Sequence, residues 1–249
     1  MLQDSKGTFL VWERELGMKH LATCIIGSAA LLLSVQANAN LIANGSFETP
    51  VVPTGSFTNF PVGSALLTDW SVFGPLGTNV SIVSGSFSQN GVTFPAEDGS
   101  QFLDLTGDGS NSTEGVSQAV TTTAGDQYQL SYWIGNTTGG GIFGTTSTVK
   151  VSLNGTLAFS DTNSNVSPIT LSWEQFIHTF VATGTSTILA FQNGDPAGDN
   201  ANGFDNVILT DLGPAPPAVP EPASLGLLGA GLAFFGLIRK RRARSAPAC

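Results

Sequence analysis

The chemistry this chain is equipped for is that of oxygen ligands. Between Asn40 and Pro220 it carries 14 Asp and Glu residues against one cation, Lys150, and one histidine, His178. That span has a formal charge of about −13, more extreme than the −9 of all 249 residues. Cys24 and Cys249, the only two thiols, fall outside it, so neither a disulfide nor thiolate chemistry has the atoms it needs there. Carboxylates, amides and hydroxyls suit a hard cation such as calcium and serve zinc poorly. A surface this acidic repels phosphate backbones and anionic lipid, which excludes nucleic acid as a partner. A catalytic triad would have to be built on His178 alone, and that residue stands between Phe176 and Phe180 on one face of a strand, where it reads as packing. Paired carboxylates for glycoside hydrolysis stay open, because sequence spacing does not give their separation in space.

Three smaller constellations carry further polar or aromatic groups. Asp104-Leu105-Thr106-Gly107-Asp108-Gly109 begins like a calcium loop, but its twelfth position is Gly115 and the acid, Glu114, comes one place early, so a surface turn is expected. Asp195, Asp199 and Asp205 with Asn193, Asn200 and Asn202 make an oxygen-rich loop that either adds ion ligands or forms Asx turns. Trp133, on the polar side of its strand, is the best-placed aromatic for a sugar platform, although packing under a second sheet is the favoured reading of it. Trp70 and Trp173 read as core.

The elements that must position these groups are strands. Tyr128, Leu130, Tyr132 and Ile134 alternate with Gln127, Gln129, Ser131 and Trp133, and Val149, Val151 and Leu153 alternate with Thr148, Lys150 and Ser152. Asn154-Gly155 then supplies the two positive-φ residues of a tight hairpin, with Leu157 and Phe159 on the return strand. Further strands are expected near 67–73, 80–83, 101–105, 115–121, 173–182, 187–192 and 206–212. Residues 139–144 and 193–203 read as long loops. Residues 40–212 therefore predict one all-β domain, a single antiparallel β-sandwich of nine or ten strands. The Pro-rich 213–219 reads as a linker.

Both ends read as addresses. Met18-Lys19-His20, an apolar Leu21 to Leu33, and Ala37-Asn38-Ala39 form a signal peptide over 18–39, with cleavage set by Ala37 and Ala39. The acids of 1–17 suit neither that signal nor a strand domain, so this doubtful extension is read as an upstream mis-assigned start. At the other end, Val219-Pro220-Glu221-Pro222 precedes an apolar run, Ala223 to Ile238, and then Arg239, Lys240, Arg241, Arg242 and Arg244. A helix of that length spans roughly 24 Å, a little under the ~30 Å hydrocarbon core. The cations hold its end in the cytoplasm, leaving the body outside and 245–249 as a tail. This order over 220–244 resembles the PEP-CTERM sorting signal. The resemblance implies a Gram-negative inner membrane crossed through the secretion translocon, signal peptidase at one end and an exosortase-type protease at the other. A transmembrane helix would anchor the protein transiently before its release to the cell surface or beyond. An ordinary unprocessed membrane anchor is the alternative.

The body resembles the galactose-binding-like jelly rolls that include many carbohydrate-binding modules. The residues that carry this are Asn44-Gly45-Ser46-Phe47-Glu48, Trp70, and Gly203-Phe204-Asp205-Asn206-Val207. In those modules the opening and closing stretches lie side by side, and the resemblance implies one structural calcium at Glu48 and Asp205, or no cofactor at all. The expected function is that of an exported, non-catalytic surface or extracellular-matrix protein that meets exopolysaccharide in a biofilm. A secreted carbohydrate-active enzyme, or its binding module, is the alternative.

Overall fold

The alternation around Tyr132 becomes the central strand of a sheet. In a computed structural model that describes residues 39–217, Tyr128, Leu130, Tyr132 and Ile134 are all at most 1% exposed. They lie on one face of β8 (Asp126–Asn136). The expected signal peptide up to Asn38, the sorting motif and the helix expected after it lie outside the described residues. The strands before β8 are β1 (Phe57–Pro61), β2 (Ser71–Phe73), β3 (Asn79–Ser84), β4 (Ser88–Gln89), β5 (Val92–Thr93), β6 (Gln101–Asp104) and β7 (Gly115–Thr121). Those after it are β9 (Ser147–Leu153), β10 (Thr156–Asn163), β11 (Ser172–Val181), β12 (Ser186–Asn193) and β13 (Gly203–Pro214). A single 3-10 turn stands at Gly139–Gly141.

Two antiparallel sheets form, as the sequence predicts. One has six strands in the order β1-β3-β6-β13-β8-β11, the other five in the order β10-β9-β12-β7-β2, and β4 and β5 make a separate hairpin. The main core lies between the two large sheets. Phe47 stacks on Trp70 at 5.2 Å between ring centroids, and Phe191 from β12 meets Phe204 from β13 at 4.7 Å. Tyr132 closes on both Phe191 and Phe204. Offset and tilted rings of this kind bury large apolar area and fix their neighbours' angles.

A second, smaller core sits on the outer face of the six-stranded sheet. Val83 and Phe102 face outwards there and are covered by Phe94 beyond the β4–β5 hairpin, Phe143 after the glycine turn, and Leu171 before β11. Trp173 extends this cover over two glycines of the sheet. A Cβ on Gly135 or on Gly203 would come within 2.9 Å of the Trp173 ring, so only glycine lets the indole lie against the strands. Thus Trp173 belongs to the outer cluster, whereas Trp70, at 4% exposed, is in the main core as expected. β13 also runs to Pro214, so the last strand takes in the first two residues read as linker.

His178 joins the two sheets at their open edge. Its Nε2 meets Asp161 Oδ2 on β10 at 2.7 Å, its ring stacks on Phe159 at 4.0 Å, and Tyr132 donates to the same carboxylate oxygen. The packing role expected of it is therefore accompanied by a polar clasp across β10 and β11.

Candidate functional site

The outer face has a groove where its cover stops. On three neighbouring strands the pleat turns Asn59, Ser81 and Asp104 outwards as one row, and Phe57, Val83 and Phe102 as the next. The first row is polar and the second apolar. The hollow above them has a volume of about 340 Å³, walled by Phe87, Gln89 and Asn90 of the hairpin on one side and by Ile142, Phe143 and Asn200 on the other. Gly107, Asp108 and Gly109 form its end. Phe57 and Ile142 present 37% and 54% of their surface to solvent, and Phe57 meets Phe87 edge-on at 5.6 Å. A larger hollow, about 430 Å³ between residues 51–54 and 99–101, has no aromatic side chain in its lining.

Each polar wall is held by identifiable contacts. Ser81 Oγ donates to Asn59 Oδ1 at 2.7 Å, and Asn59 Nδ2 reaches Asp108 Oδ2 at 3.4 Å. Asp104 Oδ1 accepts from Thr106 N, Thr106 Oγ1 and Asn202 N at 3.0, 2.8 and 3.3 Å, while no described donor reaches its Oδ2. Burial pushes Asp104 up to about 6, against the pull of those donors. Gly107 has φ +61, and a Cβ there would strike the Asn79 carbonyl at 2.1 Å, so the turn that carries Asp108 requires glycine. Of the stretch expected to be a surface turn, Asp104 ends β6 and Leu105 and Thr106 are buried, so the surface turn begins at Gly107, and that part closes the groove.

Asn200 is held by its own backbone amide, which donates to Phe143 O at 3.0 Å, and its neighbours Asp199 and Asn202 belong to an acid-and-amide network behind the groove. Asn202 Nδ2 donates to Thr148 O and Asn193 Oδ1, and Asn193 Nδ2 donates in turn to Asn111 Oδ1. Asp199 Oδ2 accepts the amides of Thr145 and Thr146 at 3.2 and 3.1 Å. One Asx-type bond, from Asp195 N to Asn193 Oδ1 at 3.1 Å, is local, whereas most of the others tie the oxygen-rich loop to distant strands and loops. Two buried oxygens stay without a hydrogen-bond partner, Asp195 Oδ2 and Asn202 Oδ1. Burial is the main cause that pushes Asp195 up to about 8, with Asp199 and Asp104 adding to it.

Glu48 and Asp205 do meet on one segment, but through nitrogen. Glu48 Oε1 accepts the amides of Ser100 and Gln101 at 2.8 and 3.0 Å, and its Oε2 accepts Ser100 Oγ at 2.6 Å. Asp205 Oδ2 accepts the amides of Glu97 and Asp98, both at 3.0 Å, and its Oδ1 takes Asn206 N. Burial pushes Asp205 up to about 8 against these donors. A calcium ion needs lone pairs turned towards it, whereas here N–H and O–H groups point at the carboxylates from the 97–101 loop. As placed, the pair fits backbone amides better than an ion. Among the described residues, no group of three or more His, Cys, Asp and Glu is arranged to hold a metal.

Trp133 is half-buried on the outer face, in register with Gln175 on one side and Asp205 on the other. It does not line the groove. The aromatic that does so with the most exposed surface is Phe57, on a strand that the sequence reading omitted, and its only local signal was Phe57-Thr58-Asn59-Phe60 leading into Pro61.

A family model described as "Protein of unknown function (DUF642)" matches residues 40–209, and one described as "PEP-CTERM protein-sorting motif" matches residues 218–242. No curated protein matches the chain. The solved structures that resemble it are mostly carbohydrate-binding modules. One is TmCBM61 in complex with beta-1,4-galactotriose, at 18% identity over 70% of this chain and 99% of that one, with a TM-score of 0.40. Another is the CBM22-1 xylan-binding domain from Paenibacillus barcinonensis Xyn10C, at 14% identity over 66% and 99%, with a TM-score of 0.38. The EclA C-terminal domain, a sugar-binding protein, matches at 18% identity over 38% of this chain with a TM-score of 0.31, and the chain spans 64% of that protein's length.

Proposed function

The chain belongs to the DUF642 family and carries a PEP-CTERM protein-sorting motif, which makes it an exported protein sorted through the membrane, and we propose that it binds polysaccharide at the cell surface. The observation that carries this reading is the groove, which sets an accessible aromatic face, Phe57, beside Asn59, Ser81, Asp104, Asn90 and Asn200. Sugar rings offer apolar C–H faces to aromatic rings and vicinal hydroxyls to carboxylates and amides, so a mixed lining of this kind is what they require. The sorting motif supports delivery to the polysaccharide layer, with an exosortase cleaving near Pro220-Glu221-Pro222 and releasing the domain. Binding without turnover is the role assigned to the groove, and exopolysaccharide of the producing cell is its expected ligand.

Affinity electrophoresis of the processed protein in gels containing that exopolysaccharide tests the reading. Retardation is expected, with loss in Phe57→Ala and no release of reducing ends. Equal mobility with and without polysaccharide would remove the proposal. Mass spectrometry of the mature C-terminus tests the sorting step separately, and a chain still ending at Cys249 would overturn cleavage.

A further inference from the structure

The two carboxylates of the groove restrict which sugars suit it. Asp104 and Asp108 lie at its floor and end, and no Lys or Arg among the described residues lines it. The sole cation among the described residues, Lys150, is on β9 of the other sheet, in register with Ser160 and Gln192. A uronic acid would therefore face two like charges with no counter-charge. Neutral sugars avoid that repulsion but leave another difficulty. Asp104 has one oxygen with three donors and one with none, and ligand entry would strip water from the second.

A cationic group answers both conditions. The floor row connects the two acids physically, since Ser81 stands in register with Asp104, Ser81 Oγ bonds Asn59, and Asn59 Nδ2 reaches Asp108. Phe57 is two residues from Asn59 on the same face of β1, so a ring stacked on it would have a substituent over the acidic row. We infer that the ligand is an amino-sugar polymer, whose protonated amines lie along the row from Asp104 to Asp108 while one of its rings stacks on Phe57. This inference rests on the carbohydrate reading above and narrows it to one class of polymer, one that carries free rather than acylated amines. Burial already disfavours a bare charge on Asp104, and a bound ammonium would restore its ionised form.

Isothermal titration just below neutral pH, with glucosamine oligomers and N-acetylglucosamine oligomers of equal length, separates the possibilities. The free amine is expected to bind the processed protein about tenfold tighter, one decade of affinity, at low salt. Asp104→Asn and Asp108→Asn should each reduce that preference; Asp108 is exposed and makes one long side-chain contact, so its variant keeps the test valid if Asp104→Asn folds poorly. Asp69→Asn, on the turn before β2 in the other sheet, should leave the preference intact. Equal affinity for the two oligomers would overturn the amino-sugar inference and leave carbohydrate binding standing. An equal loss in Asp69→Asn would overturn it too, because attraction to the overall charge would then explain the preference. Failure of both oligomers and of all neutral polysaccharides would take down the parent reading as well.

Discussion

The two faces of the six-stranded sheet are built from the same strands yet do different work. Its inner face contributes Phe204, Tyr132, Leu130, Ile82 and Leu103 to the main core, all fully buried. Its outer face carries Asn59, Ser81, Asp104 and Trp133, with a small apolar cluster covering only part of it. The pleat alone separates them, since successive side chains point to opposite faces. Residue parity thus assigns stability to one set of positions and leaves the other free for recognition. Substitutions on one face should therefore leave the other's property almost unchanged.

The largest effect is expected inside. Phe204 is fully buried and touches Phe47, Tyr132 and Phe191. Phe204→Ala should cost about 3–5 kcal/mol of stability in denaturant unfolding, through lost transfer energy and the cavity left behind. Sugar affinity of the molecules that remain folded should not change. A cost under about 1 kcal/mol would mean that the two sheets do not pack as described.

At the boundary between the faces stands the 97–101 loop, held by Glu48 and Asp205. Asp205→Ala removes the acceptor for three backbone amides and should cost about 2 kcal/mol, less than the core substitution because water can reach part of the loop. Thermal unfolding in calcium and in chelator checks the same pair. Hydrogen-bonded carboxylates predict equal melting temperatures, whereas an ion held there would raise the value in calcium. A rise abolished by Asp205→Ala would replace the amide latch with a metal site.

A pH-dependent term comes from Asp195 in the network behind the groove. Its carboxyl is pushed up to about 8 in the folded chain, from an unfolded value of 3.8. A raised carboxyl holds its proton longer in the folded state, so its contribution is complete below 3.8 and is lost as pH rises towards about 8. The proton also has a structural use. Asp195 Oδ2 and Asn202 Oδ1 are both buried acceptors without donors, and the Asn202 amide lies against Asp195. Asp195→Asn supplies a permanent N–H in place of the proton, and should flatten the decline in stability between mildly acidic and mildly alkaline pH. A decline equal to that of the parent would place the titration elsewhere, with Asp104 and Asp205 the next groups to substitute.

How much of this could be read in advance follows from how local each signal is. The alternation in β8 and the Asn154-Gly155 hairpin were legible because one strand and one turn suffice; the turn residues adopt φ 51 and 80 as that dipeptide requires. Asn90-Gly91 has nearly the same angles, 52 and 81, and turns β4 into β5. Its flanks, Ser88-Gln89 and Val92-Thr93, are too short and too polar to show alternation, so the hairpin that walls the groove was missed. β1 was missed for a similar reason, since it is an edge strand that tolerates Pro61. The groove itself has no local signal at all. Asn59, Ser81 and Asp104 become neighbours only through the register of three strands, and Asp104 taken alone reads as the start of a turn. Trp133 was placed on the polar side of its strand, where it is, but parity does not tell which part of an outer face stays open.

The smallest stability effect and the clearest functional one should coincide at Phe57. Its ring is over a third exposed, it sits on an edge strand, and its only ring partner among the described residues is Phe87, itself half-buried. Phe57→Ala should therefore cost about 1–2 kcal/mol, well below Phe204→Ala, since over a third of its surface is already in water. Polysaccharide retardation should nevertheless be lost, because the stacking surface is gone while Asn59, Ser81 and Asp104 keep their places. The contrast with Phe204→Ala is what makes the measurement decisive. Two phenylalanines on opposite faces of one sheet would then show opposite profiles, one large in stability and silent in binding, the other the reverse. If Phe57→Ala binds as the parent does, the groove is not the sugar site, and Trp133→Ala becomes the test of whether another part of the same outer face is.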